Sequence, residues 1–131
     1  MAVEMPVLVK TFEASGDLST KQFYFMKQDT TVNRVTTCTA TTDIPNGILQ
    51  NKPDAAGKEA EVMMVGLSKG SADAALTLGD LVGTSADGQV VKKTVGTDTT
   101  HYIVGRVLEA ATAAADIVTI AVNCLSPTRA A

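Results

Sequence analysis

One histidine, two cysteines and a scatter of carboxylates in turn-like settings are the residues of this chain whose types could do chemistry. His101 has no cysteine or second histidine at metal-ligand spacing, whereas a zinc site needs three or four nitrogen and sulfur ligands. It reads as a surface or strand-end histidine. Asp80, Asp87, Asp98 and Asp116 match no calcium-loop spacing, and aspartate in a turn already has a structural use, since its side chain accepts hydrogen bonds from nearby backbone. Lys69, within Ser68-Lys69-Gly70-Ser71, sits at an expected turn where a lipoyl- or biotinyl-carrier domain would bear its acceptor, yet the Asp-Lys-Ala and Met-Lys-Met contexts of such domains are missing. No Gly-x-Ser-x-Gly elbow, no Cys/His pair with an orienting acid, no phosphate-cradling loop followed by a helix and no dinucleotide fingerprint is found. The residues therefore predict a protein that is not an enzyme and carries neither cofactor nor metal. Cys38 and Cys124 stand in unlike contexts. Cys124 continues the alternating apolar face Val118, Ile120, Val122, where a free thiol behaves as a small apolar side chain; a long-range disulfide is the other reading.

The elements that would position any site are strands. Asp87-Gly88, between Leu81-Val82-Gly83-Thr84 and Gln89-Val90-Val91, predicts a hairpin with a type I′ turn, because both residues tolerate positive φ. Three further apolar segments, Val62–Leu67, Tyr102–Leu108 and Ile117–Val122, have strand length and β-branched content, with Gly, Asp or Ser clusters between them. Lys21–Lys27 carries apolar groups on both faces, Phe23 and Phe25 against Tyr24 and Met26, so both faces must be covered, by this chain or by another subunit. Ile48–Asn51 forms a short strand after the turn Asp43-Ile44-Pro45-Asn46-Gly47. Glu109–Asp116 is alanine-rich but too short to hold a helix by itself, and reads as a helical turn or a compact loop. Threonine is abundant, at 18 residues, and with Val and Ile it favours strands. The expected fold is all-β: a small barrel- or sandwich-like domain with short loops, at most one or two helical turns, and an extended N-terminal arm.

Length and charge bound the partners. At 131 residues the chain suits one domain, which is large enough to bury a core without staples. A net charge of −3, with no basic run beyond Lys92-Lys93, offers no footprint for nucleic acid or an anionic membrane. The N-terminus shows no basic and apolar signal-peptide pattern, and no apolar run nears the roughly 20 residues that span a bilayer. Synthesis and folding in a reducing cytosol are expected. Residues 1–16 differ from the rest: Val3, Met5, Val7, Leu8 and Val9 form an apolar run broken by Pro6, which favours an extended path. They are expected to form an arm, and residues 17–131 a single β domain. Val3, Met5, Val7, Val9 and Phe12 are the candidate residues for docking on a partner.

Several segments together resemble the capsid decoration, or cement, proteins of tailed bacteriophages. They are Gly47-Ile48-Leu49-Gln50-Asn51-Lys52-Pro53, Ala56-Gly57-Lys58-Glu59-Ala60, Val65-Gly66-Leu67-Ser68-Lys69, Gly79-Asp80-Leu81-Val82, Asp87-Gly88, Val104–Ala111 and Asp116-Ile117-Val118, all within residues 47–123. The resemblance implies a small β-rich virion protein on the outer surface of an icosahedral head, usually a homotrimer, bracing neighbouring major capsid subunits without catalysis. Its partners would be the major capsid protein and copies of itself. The arm would then add as a strand to capsid or neighbouring-copy strands, with Val7, Val9 and Phe12 filling pockets. The alternative is a virion-surface module that binds a host receptor or glycan. Tyr24, Tyr102, three Phe and no Trp give that reading a thin aromatic platform.

Overall fold

Strand β5 (Glu59–Ser71) is 13 residues long and has neighbours on both edges. In the computed structural model, which describes residues 2–131, the other strands in chain order are β1 (Met5–Ala14), β2 (Phe25–Gln28), β3 (Arg34–Thr37), β4 (Gly47–Leu49), β6 (Leu81–Thr84), β7 (Val90–Lys92), β8 (Tyr102–Ile103), β9 (Gly105–Val107), β10 (Ile117–Asn123) and β11 (Thr128–Arg129). On one edge of β5 lies β1, antiparallel from Met5↔Leu67 to Glu13↔Glu59. The other edge is divided: β4 pairs at Ile48↔Met63 and Leu49↔Val62, and β10 pairs from Ile117↔Ser71 to Asn123↔Val65.

Two lobes follow from that division. Beyond β4 come β2 and β3, and β3 meets the end of β1 in parallel, so this lobe's pairings return to their starting strand. Beyond β10 come β9, β6 and β7. As a whole the fold is all-β and sandwich-like rather than one closed barrel. Each lobe has its own apolar core. Phe12, Ala14, Leu18, Met26, Val35, Leu49, Ala60 and Val62 fill the smaller; Phe25, Ile48, Met63, Val82, Val90, Val107, Val118, Ile120 and both cysteines belong to the larger. Successive side chains on a strand point to opposite faces, so the adjacent pairs Phe25/Met26, Ile48/Leu49 and Val62/Met63 each send one residue to each core. Both faces of β2 are thus covered within the chain.

Three local expectations are corrected, and a fourth, left open between two readings, is decided. The hairpin turns at Asp87-Gly88, but only Gly88 has positive φ, at 89°. Ser85 N donates to Gln89 O and Gly88 N to Ser85 O, closing a three-residue loop instead of a type I′ turn. The Ser85 hydroxyl, which accepts from the Asp87 and Gln89 N–H groups, selects this wider loop. Ser68–Ser71 is strand, not turn, because β10 pairs along it and Ser68 and Ser71 accept hydrogen bonds from the Gln50 and Gln89 amides. Tyr102–Leu108 divides into β8 and β9 at Val104, whose N–H donates to Val82 O. Glu109–Asp116 is a loop without a helical turn, drawn together by the Asp116 carboxylate, which accepts from Thr112 N, Thr112 Oγ1 and Ala113 N.

Both cysteines are free and buried, and burial pushes each thiol from about 9 up to about 12. Folded, they stay protonated where the unfolded chain ionises them, so this contribution to stability falls as pH rises from about 9 to about 12. A Cys38→Ala/Cys124→Ala variant should lack that part of the alkaline loss in denaturation curves. At pH 8 the native wild type should resist thiol reagents until it unfolds. A third expectation concerns Gly88, where an added Cβ would lie 2.6 Å from Thr37 Cγ2 on top of the positive φ. Gly88→Val should cost about 2 kcal/mol in chemical denaturation.

Candidate functional site: the open edge of the first strand

β1 lies along β5 from residue 5, and only Glu13 and Ala14 have a strand, β3, on the other side. From Met5 to Phe12 the outer edge of β1 has no strand partner among the described residues. Met1, the first residue of the expected arm, lies outside the described residues. Residues Met5 to Thr11 are exposed on both faces of the strand. Val7 is 77% exposed, Met5 62%, Val9 42%, Leu8 40%, and Val3, just before the strand, 43%.

The register explains why Val7 protrudes. Pro6 pairs with Gly66 and Leu8 with Val65, so Val7 is skipped; Leu8 and Val9 then straddle Met64. Gly66, at φ 138°, permits this irregular approach, because a Cβ there would lie 2.7 Å from Met5 O and 2.8 Å from Val7 N. Below the bulge is an apolar groove of about 370 Å³, lined by Met5, Val7, Val65, Gly66, Leu67, Ala121 and Val122. Val3 N donates to Thr119 Oγ1 at 2.9 Å, and Glu4 lies 3.7 Å from the Lys69 ammonium, which fixes the residues leading into the strand.

The structure thus brings Met5 and Val7 together in one groove and sets Val3 and Val9 nearby on the same segment. Phe12 departs from the expected docking set: it is 7% exposed, fills the smaller core, and has the Lys10 ammonium 4.0 Å from its ring centre. As the strand passes over the smaller lobe, its inward positions become core. Leu8, Val65, Leu67 and Ala121 were not singled out by sequence reasoning. Pro6 opposite Gly66 is the signal that could have found them, since both residues mark a disturbed ladder.

The other candidates are placed as follows. Lys69 lies within β5 and not at a hairpin tip, with its ammonium 5.7 Å from the Phe23 ring centre, so the geometry of a carrier acceptor is missing. The turn aspartates serve the backbone: Asp80 accepts from Thr77 N and Asp98 from Thr94 N. Accepted bonds from Thr112 hold the Asp116 carboxyl below the ordinary carboxylate range. Tyr24 is half-buried against the smaller core with Lys21 over its ring, and Tyr102 is half-buried on β8. His101 is at a strand end, as expected, but its ring contacts a buried lysine.

The bulged, apolar and half-paired β1 at the margin of a two-core β module is the candidate site that the geometry defines. The particular class is given by sequence: the family described as phage cement protein matches residues 5–124, and the chain belongs to that family. It is a capsid-associated structural protein. Among solved structures it is similar to the head fiber gp8.5 N base of bacteriophage phi29, with a TM-score of 0.67 and 16% identity over 89% of this chain and 94% of that one. At that identity the likeness establishes a shared fold. No curated protein sequence matches the chain.

Opposite effects on stability should separate the two ends of β1. Phe12→Ala should cost about 3–4 kcal/mol in denaturation experiments, as for other buried aromatics. Val7→Asp should change stability by no more than about 0.5 kcal/mol, because its side chain stands in solvent.

Proposed function

We propose that the chain binds the outer surface of an icosahedral phage head and braces neighbouring major capsid subunits, stabilising the shell without catalysis. The observation that carries this reading is the outer edge of β1, which has no strand partner from Met5 to Phe12 among the described residues and is flanked by exposed Met5, Val7 and Val9. Such an edge presents a row of free N–H and C=O groups to an incoming extended segment, and alternate side chains can seat in apolar pockets. The occupant is a segment of the major capsid protein or of a neighbouring copy, the latter in a homotrimer of the kind the family resemblance implies. Made in the host cytoplasm, the protein resides on the virion exterior and contacts neither nucleic acid nor membrane. Copies on a repeated lattice multiply individually modest contacts, so no single interface has to be large.

Truncation is a poor test, because removing residues 2–12 would take Phe12 from the core and uncover one edge of β5. Substitution at an exposed position is better. In cosedimentation with undecorated phage heads, Val7→Asp should weaken binding at least about tenfold, since an unpaired carboxylate would be buried against an apolar partner. Undiminished binding by a folded Val7→Asp protein would sink the β1 docking model. Binding of the wild type to host glycans, lost on Tyr24→Ala or Tyr102→Ala, would favour the receptor-binding reading instead.

A further inference from the structure

At the β7 end of the sheet order, a lysine and a histidine meet in an arrangement that docking at β1 does not use. Lys93, at the end of β7, is 3% exposed. Its Nζ donates to Thr84 O at 2.8 Å, lies 3.5 Å from Thr41 O and contacts His101 Nδ1 at 3.1 Å. An ammonium group only donates, so Nδ1 is the acceptor and the neutral imidazole carries its proton on Nε2. The backbone of His101 bears directly on the chain's end. Its carbonyl accepts from Ala130 N at 3.0 Å, beside the pairs Arg129↔Tyr102 and Thr128↔Ile103 that join β8 to β11.

The charged groups around this contact are few. Asp98 Oδ1 is 3.7 Å from the same Nδ1, and its Oδ2 accepts from Thr94 N. From β11, Arg129 Nε donates to Thr99 O; Asp43, in the loop that carries Thr41, is paired with Lys27; Lys92 reaches Asp80. Burial already holds the Lys93 ammonium below its ordinary value, with the Asp98 charge opposing that shift. A second cation in contact with it would be poorly tolerated.

We propose that His101 is an acid-sensitive latch for the C-terminal ribbon formed by β8 and β11. While the imidazole is neutral, it accepts from Lys93 and ties the ribbon to β6, β7 and the loop at Thr41. Protonation at Nδ1 removes the acceptor, sets two cations against each other and turns the imidazolium toward Asp98. The ring leaves Lys93 and the ribbon loosens. The latch is closed while the ring accepts from Lys93 and opens when that acceptor nitrogen takes up a proton. Because the open form binds the extra proton, ribbon protection falls as pH falls.

Amide hydrogen exchange on the full chain, corrected for the intrinsic pH dependence, tests this. Between pH 7.5 and pH 5.5 the β8 and β11 amides and that of Ala130 should lose roughly tenfold in protection, while those of β5 and β10 hold. His101→Gln, whose Oε1 can accept from Lys93 at any pH, should show a flat profile. Unchanged protection in the wild type, or the same loss in His101→Gln, would overturn the proposal. Should that variant not fold, nitrogen NMR of the wild-type imidazole decides: a proton on Nδ1 at pH 7.5 contradicts the latch, and one on Nε2 is what it requires.

Discussion

Strand β5 is paired along both edges, and the rest of the molecule depends on that double pairing. Val62 and Met63 lie between β1 on one side and β4 on the other, and their side chains enter different cores. Complete burial of an aliphatic side chain of this size stabilises by about 1.5–3 kcal/mol, and here a single stretch of backbone delivers two of them to opposite faces. Both lobes are built on the same strand, so their cores share one stretch of backbone.

The same strand creates the exposed edge. β5 runs on past the small lobe, and β1 follows it beyond the region where side chains can be covered. From Phe12 onward β1 sends Phe12 and Ala14 inward; before Phe12 the residues through Met5 are exposed. A long, apolar, unpaired edge invites aggregation, and soluble proteins usually blunt such edges. Here a proline and a bulge disturb the inner ladder while Met5, Val7 and Val9 remain outward. That combination suits a surface kept for one kind of partner.

Much of this was legible in the chain because strands announce themselves by β-branched content and turns by Asp and Gly. The all-β class, the hairpin at Gly88, strand β10 and the two-faced burial around Phe25 and Met26 all rest on such local signals. The family was legible too, through turn and strand residues between Gly47 and Asn123. What failed was non-local. Ser68–Ser71 looks like a turn until β10 pairs with it, and the polar side chains that suggested a loop are satisfied by Gln50 and Gln89 from distant segments. Between the two readings left open for Glu109–Asp116, a helical turn or a compact loop, the choice is local: the Asp116 carboxylate accepts three short-range hydrogen bonds that draw a loop together. At the candidate site, Met5, Val7 and Val9 were readable as an apolar run beside a proline. Phe12 was not separable from them, because its burial depends on a lobe assembled from residues up to Val62.

The central claim is that the outer edge of β1 becomes a paired strand on the phage head. Hydrogen exchange with mass spectrometry, comparing the free protein with the same protein bound to undecorated heads, addresses the backbone groups concerned. Strand addition predicts that amides between Met5 and Phe12 gain protection on binding while those of β6, β7 and β9 change little. Protection that instead appears at the opposite end of the sheet, around exposed Leu78, Leu81 and Leu108, with β1 still open, would contradict the account.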